Sequence, residues 1–275
     1  MSLKRDESGR LHIESPLMGE SLMRKGLLEE TEVESVFKPL PNVKVIKIGG
    51  QSIIDRGREV VLPLLDEVVE LRPDHHLLVL TGGGTRSRHA YAVALDLGMP
   101  TGVLAKLGSS ISEQNALMIA LLLTPYGGIK IEHGDLVKLA SYLMLNAIPV
   151  MHAMPPYGLW EKPPDSGRIP PHRTDVGTLL TAEVLGAERC YLVKDEQGLY
   201  TDDPKRNPDA EFIDEIEVGA LLERDLPDLP VERTLLEALA HAKSVREVLI
   251  VNGRERGALT AALQGENPGT RIYRG

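Results

Sequence analysis

The chain has 275 residues, 42% of them hydrophobic, 26% charged and 4% aromatic, with a formal net charge of −9 and a single cysteine. That length suits one large α/β domain or two lobes, and the acidic balance argues against a nucleic-acid coat or an anionic membrane surface as partner. One cysteine excludes a disulfide framework and a Cys-based zinc site, and makes the cytoplasm the expected compartment.

With so few aromatics the core must be aliphatic, and any anion site has to be built locally, against the global field. Residues 1–15 are polar and charged, so no secretory signal is expected. The longest purely apolar run, residues 116–123, is too short to cross a bilayer. Residues 1–41 carry charges, Pro16, Pro39, Pro41 and a leucine-bearing segment at 22–28. They read as an N-terminal arm, either packed on a neighbouring subunit or disordered. Residues 42–275 then form the main domain.

Residues 43–51, V-K-V-I-K-I-G-G-Q, read as a buried strand running into a glycine turn. Gly49 and Gly50 allow a sharp turn whose N–H groups approach an anion, and Lys47 adds a mobile positive charge. Asp55 is expected to cap a helix over 56–71, in which Pro63 bends the helix or delays its start. A strand at 76–80 ends in Gly82, Gly83 and Gly84, followed by Arg86 and Arg88. These arginines suit forked contacts with an oxyanion.

Helical patterns follow at 90–97, 113–123 and 135–145, and strands at 129–132 and 148–152. Residues 153–173 are irregular and hold six prolines, Tyr157 and the single tryptophan, Trp160. A connection of that length suits a functional site or a subunit contact. Thr174 and Asp175 open a helix over 176–185. Strands are expected at 191–194, 248–251 and 270–273, with helices at 232–243 and 258–263. Strands alternating with helices imply a mainly parallel sheet covered on both faces, a three-layer α/β sandwich. Ligands in such sheets bind at the carboxyl ends of strands. Four strands end in glycine- or charge-rich loops, at 49–50, 82–88, 195–198 and 252–253, which favours a ligand with several phosphates or oxyanions. No P-loop, G-x-G-x-x-G, H-E-x-x-H or G-x-S-x-G motif is present.

Lys47-Ile48-Gly49-Gly50, the Gly82-Gly83-Gly84 loop, Thr174-Asp175 and the run G-L-Y-T-D-D-P at 198–204 occur in the order seen in the amino acid kinase family. They look most like its uridylate kinase branch, as do V-N-G at 251–253 and Gly269-Thr270. Within that family the chain resembles the molybdenum storage proteins. Residues 46–57, 103–115, 154–160 and 193–201 look like their β-type subunits, whereas 169–175 and 229–233 look more like α-type subunits. The resemblance implies a uridylate-kinase-like fold, ATP with magnesium (Mg2+), and a hexameric cage holding polyoxomolybdate or polyoxotungstate clusters. The hexamer is either homomeric or shared with a homologous subunit.

On that resemblance Lys47, Gly49 and Gly50 bind ATP phosphates. Lys194, Asp195 and Gly198 lie near the nucleotide, Tyr200 and Pro204 enclose the adenine, and Asp195 or Asp175 touches magnesium. Asp175 reads equally as a helix N-cap. Gly82, Gly83, Gly84, Arg86 and Arg88 face the acceptor, where molybdate would suit the same donors as a phosphate. Glu132, His133 and His152 are candidate cluster ligands, although His152 ends an apolar strand and reads first as a core histidine. Gln197 stands where the family commonly has Asp, and Ser112 or Glu113 where uridylate kinases carry the aspartate that holds the UMP ribose. The histidine run of α-type subunits is replaced by Gly158-Leu159-Trp160. The expected function is therefore ATP-linked oxometalate storage, with slow ATP hydrolysis coupled to loading. The alternatives are a nucleoside-monophosphate or amino-acid kinase and a nucleotide-binding regulatory subunit.

Overall fold

Val45, Ile46 and Ile48 have no solvent exposure, and the strand they form, β1 (Lys44–Ile48), lies inside a sheet that buries both its faces. The computed structural model describes residues 5, 9, 11, 22, 25–30, 36–204, 206–226 and 228–275. Most of the expected N-terminal arm, and with it the expectation that it packs on a neighbouring subunit, lies outside the described residues. Two units divide the chain, Met1–Phe37 and Lys38–Gly275. In the first, Arg5 and Leu11 form an antiparallel bridge, the Arg5 guanidinium donates to the Gly9 carbonyl at 2.7 Å, and helix α1 spans Lys25–Glu30.

In the second unit the chain runs from β1 through α2 (Arg58–Leu71), β2 (Leu77–Thr81), α3 (Gly84–Asp96), α4 (Thr101–Leu123), β3 (Gly128–Lys130), α5 (Leu139–Met144) and β4 (Ile148–His152). It continues through α6 (Thr174–Leu185), β5 (Arg189–Lys194), β6 (Leu199–Tyr200), β7 (Phe212–Ile213), β8 (Glu215–Glu217), α7 (Val218–Arg224), α8 (Arg233–His241), β9 (Glu247–Asn252), α9 (Ala258–Leu263) and β10 (Thr270–Tyr273). Among the described residues the main sheet has eight strands in the order β3-β4-β2-β1-β5-β9-β10-β8, and β6 pairs with β7 as a separate ribbon. Only the β9–β10 ladder within the large sheet is antiparallel.

Alternation along β1 sends its side chains to two cores. Ile46 and Ile48 pack with α2, α4 and α9 residues such as Val68, Ile119 and Leu259. Val45 packs on the opposite face with α6 and α8 residues such as Leu179 and Leu235. Lys47 shares the Val45 face, so its ammonium is carried beneath α6. The architecture is the expected one: a mostly parallel sheet between two helical layers. No helix among the described residues is long and apolar enough to cross a membrane.

Several local expectations are corrected. Asp55 does not cap α2. It lies in a 3-10 turn (Ile54–Arg56), and Gly57, at φ +70°, separates it from α2. Its carboxylate instead accepts from the Thr85 amide at 2.6 Å and so caps α3. Pro63 sits inside α2, whose buried Val61, Leu64, Leu65, Val68 and Leu71 hold the helix despite the one amide lost. The helices expected at 90–97 and 113–123 are longer than the pattern showed: α3 begins at Gly84, inside the segment read as the 82–88 loop, and Gly108, Ser109, Ser110 and Ser112 interrupt the apolar periodicity of α4 without interrupting the helix. The helix expected at 135–145 splits into a 3-10 stretch, His133–Lys138, and α5. The two- and three-residue strands β6, β7 and β8, and α7, went unforeseen because such short elements carry no measurable period.

Candidate functional site

The carboxyl ends of β1, β2 and β5 open into a cavity of about 590 Å³. Of the four glycine- or charge-rich loops expected there, those at 49–50, 82–88 and 195–198 contribute to its wall. The Asn252-Gly253 loop does not: the Gly253 amide donates to the Lys194 carbonyl at 2.8 Å, and Asn252 is tied to Glu255 at 3.0 Å. The first two loops touch. A Cβ on Gly50 would lie 2.7 Å from Gly84 Cα and 2.8 Å from the Gly82 carbonyl carbon, so only glycine fits at that crossing. Gly84, at φ +72°, turns the chain into α3 against the Asp55 carboxylate.

Behind the glycines lies a buried charge network. Lys47 is 4% exposed and Asp175 3%, and the Lys47 ammonium donates to Asp175 Oδ1. Lys194 donates to both carboxylate oxygens of Asp175, at 3.1 and 3.0 Å. Asp175 is therefore not the N-cap of α6; it is the second residue of the helix. The capping is done by Glu232, at the start of α8. Its carboxylate accepts from the amides of Arg173 (3.2 Å), Asp175 (3.1 Å) and Val176 (3.1 Å). Asp175 Oδ2 accepts from the Glu232 amide in return, at 3.3 Å. Two helix N-termini thus exchange carboxylates, which satisfies orphan amides at both ends.

Burial works against every charge here, and the partners decide the outcome. Burial pushes the Asp175 carboxyl up, but the charges of Lys194 and Lys47 outweigh it and hold the group below the usual carboxylate range. Burial lowers the Lys194 ammonium, Asp175 opposes that shift and Lys47 adds to it. Burial, then the Asp175 charge, pushes Glu232 up. At the mouth, Arg56 donates to Asp195 and, at 2.8 Å, to the Ser52 carbonyl.

The cavity wall brings together Lys47, Gly49, Gly50, Gly82, Gly83, Gly84, Arg88, Asp175, Lys194, Asp195, Gly198, Tyr200 and Pro204, thirteen residues singled out from the sequence. Arg86 is not among them. Its guanidinium is held by Asn115 Oδ1 and, at 3.2 Å, by Gln114 on α4. Gln197 turns away, donating to the Pro268 carbonyl at 2.9 Å. Ser112 donates to the Thr81 carbonyl at 2.5 Å and Glu113 pairs with Lys130 at 3.1 Å, so neither reaches the cavity. From the long 153–173 connection only Met154 and Arg173 do.

Glu132, His133 and His152 lie elsewhere, beside α4. The two imidazoles meet edge to face, with ring centroids 4.5 Å apart. His152 is 6% exposed and its Nδ1 is buried without a hydrogen-bond partner. Burial, then His133, lowers its pKa to about 4, with Lys130 and Lys106 acting in the same sense against Glu113. Burial also lowers His133, against a hydrogen bond to the Met154 backbone. Glu132 caps the 3-10 stretch reciprocally with Asp135 and pairs with Lys130. Among the described residues no three His, Cys, Asp or Glu side chains are grouped to hold a metal ion.

Sequence reasoning missed Glu232, Arg56, Ser87, Tyr91 and Arg173 as parts of this cavity. Glu232 lies in L-P-V-E-R, a run already recognisable as similar to storage-protein subunits, but nothing local shows that a helix start 57 residues from Asp175 returns to it. Arg56 sits in the similarly recognisable stretch at 46–57.

Residues 42–252 match the model of the amino acid kinase family. The chain is 47% identical over 261 residues to the molybdenum storage protein subunit beta of Azotobacter vinelandii, covering 94% of this chain and 96% of that protein. It is 29% identical over 231 residues to a uridylate kinase of Methanothermobacter thermautotrophicus, covering 81% of this chain and 95% of that one. The fold superposes on the crystal structure of uridylate kinase from Archaeoglobus fulgidus with a TM-score of 0.64 at 20% identity, covering 83% of this chain and 99% of that one.

Proposed function

The chain belongs to the amino acid kinase family, and from that premise we propose that it is a molybdenum storage subunit which binds ATP and uses it to take up oxomolybdate or oxotungstate. The observation that carries the storage reading is the 47% identity along almost the whole chain to a storage subunit. The name of that relative, a subunit beta, supports assembly with a second kind of subunit. A hexameric cytoplasmic cage, holding polyoxometalate clusters, is the form the reading takes.

The cavity supports the ATP half. Gly49 and Gly50 present backbone to a phosphate chain, and Lys47 and Lys194 supply two ammoniums that Asp175 holds in place. Gly198, Tyr200 and Pro204 line the side where the base would lie. Magnesium fits the donor set as an ion brought in by the nucleotide. Asp175 already accepts from both lysines and the Glu232 amide; Asp195, on the wall and paired with Arg56 at the mouth, is the carboxylate we assign to the ion. An ion that takes one or two carboxylates plus substrate phosphates needs no cage of protein ligands. Such an ion would shield the phosphate charge, while Lys47 and Lys194 stabilise negative charge as the terminal phosphoryl leaves. Arg88 and the Gly82–Gly84 backbone face the acceptor side; Arg86 is occupied by α4. His133 and His152 remain proposed cluster ligands, through neutral imidazole nitrogens.

A second reading, a uridylate-kinase-like phosphotransferase, is favoured by the 29% identity to a uridylate kinase. The two are separated by supplying ATP and magnesium with either UMP or molybdate and measuring ADP and UDP by chromatography. The storage reading expects ADP formation that responds to molybdate and no UDP. UDP formed in step with ADP would overturn it.

A further inference from the structure

Glu232 is a buried carboxylate on the cavity wall, 9% exposed, and it stands at the N-cap of α8 without capping that helix. Both its oxygens go to α6 instead. Oε1 accepts from the Asp175 amide at 3.1 Å, and Oε2 from the amides of Val176 (3.1 Å) and Arg173 (3.2 Å). An N-cap side chain ordinarily serves its own helix, so Glu232 gives up that role for a helix start 57 residues earlier.

Capping alone does not account for the arrangement. A serine or asparagine at the N-cap of α6, where Arg173 stands, would satisfy that helix start. Glu232 brings a second carboxylate into the space that already buries Asp175, and burial, then the Asp175 charge, pushes it up. What the arrangement adds is control of one side chain. Oε1 fixes the Asp175 backbone, while the Glu232 amide donates to Asp175 Oδ2 at 3.3 Å. One residue thus grips Asp175 at both ends. The Asp175 oxygens in turn take Lys47, and Lys194 at 3.1 and 3.0 Å. A lysine is a point charge on a flexible four-carbon stem, so the carboxylate decides where each ammonium stands. A second strap ties the first turn of α8 to the same segment: the Thr234 hydroxyl donates to the Pro171 carbonyl at 2.7 Å. That bond ends on Pro171 and not on Asp175.

We propose that Glu232 is a positioning residue for phosphoryl transfer from ATP, setting the Lys47 and Lys194 ammoniums through Asp175. This rests on the ATP-hydrolysing reading of the cavity and adds to it a residue that touches no substrate. In the step concerned the bond between the terminal phosphorus and its bridging oxygen breaks and ADP leaves with the electron pair. A water oxygen takes the phosphoryl group and gives up a proton. A displaced ammonium still attracts the polyanion but no longer meets the charge that develops on the leaving side. A misplacement of about 1 Å can cost roughly 10²-fold in rate, so the effect falls on kcat and not on nucleotide affinity.

ADP formation by the full chain is measured with ATP, magnesium and molybdate, and the affinity for a non-hydrolysable ATP analogue by calorimetry. The unaltered protein is compared with Glu232→Gln, Glu232→Asp and Thr234→Val, each below its own melting transition. Glu232→Gln keeps the size and turns an amino group on amides that need an acceptor; Glu232→Asp keeps the charge and shortens the reach. In both, kcat is expected to fall at least tenfold, with the analogue affinity within threefold of the unaltered value. Thr234→Val, which cuts only the second strap, is expected to lower the melting temperature and keep kcat. If Glu232→Gln does not fold, Glu232→Asp and Thr234→Val decide. An unchanged kcat in a folded Glu232 variant, an equal fall of kcat in Thr234→Val, or a loss confined to affinity overturns the proposal. If the unaltered chain turns ATP over and the Glu232 variants match it, the proposal fails alone; if the unaltered chain binds the analogue but forms no ADP, the hydrolysis reading fails and the proposal with it.

Discussion

The Lys47–Asp175–Lys194–Glu232 network and the His133–His152 pair are both buried clusters of ionisable groups at the edge of one sheet, and they settle their charges in opposite ways. In the first, opposite charges meet: two ammoniums share a carboxylate, and a second carboxylate takes helix-end amides. In the second, burial and neighbouring cations remove the charge, leaving His152 neutral near pH 7 with an unpaired ring nitrogen. A paired network holds its geometry and can receive a polyanion without rearranging. An unpaired neutral imidazole keeps a lone pair or a proton available. The sheet thus offers one charged site and one neutral site, to which the proposed function gives different tasks, ATP binding to the first and holding an oxide cluster to the second.

The largest effect is expected from breaking the network at its centre. Asp175→Ala removes the carboxylate to which both buried ammoniums donate, and a loss of about 3–5 kcal/mol is expected, read by urea unfolding. An unchanged unfolding midpoint would show that the lysines are not buried as described.

The histidine pair is tested by pH. The folded His152 pKa of about 4 lies below its ordinary 6.5, so between those values the unfolded chain binds more protons. Its contribution is therefore complete above about pH 6.5 and lost as the pH falls toward 4, by up to about 3 kcal/mol at 1.36 kcal/mol per pKa unit. Asp175 behaves as a depressed carboxylate: its stabilisation is present above its unfolded value of 3.8 and lost only in stronger acid. Glu232, pushed up by burial and the Asp175 charge, acts in the opposite sense, so unfolding at pH 7 and pH 5 is compared with and without the His152 imidazole. In His152→Leu the difference between those two pH values should shrink, and an unaltered difference would place the proton elsewhere.

Lys47→Met keeps Asp175 paired with Lys194 and removes one cation from the phosphate side. ATP affinity is expected to fall at least tenfold, about 1.4 kcal/mol, by calorimetry; equal affinity would remove Lys47 from the nucleotide site. The smallest effect concerns the frame. Asp55→Ala removes the carboxylate that accepts from Thr85 and should cost about 1 kcal/mol in thermal unfolding, with no cost expected if α3 caps itself with water.

Much of this was legible in the sequence. The β-branched run before Gly49-Gly50, the triple glycine and the strand–helix alternation were enough for the sheet and for three of the loops at its carboxyl edge, because those signals are local. What stayed hidden depends on long-range pairing. Asp55 and Asp175 both read as N-caps from the sequence, yet Asp55 turns its carboxylate to the start of α3 and Asp175, inside α6, turns its own to the two lysines. Arg86 and Arg88 are two residues apart on α3 and so point in different directions; spacing alone did not say which one faces α4. Glu232 acts on amides 56 to 59 residues earlier, and no local pattern marks it.

The central claim, ATP-dependent storage, is tested most directly by counting retained metal. The full chain is incubated with molybdate and magnesium, with and without ATP, then desalted, and molybdenum per chain is measured by mass spectrometry. Several molybdenum atoms per chain with ATP and near none without it are expected, the difference being abolished in Lys47→Met. Equal retention with and without ATP, at any level, would contradict the account.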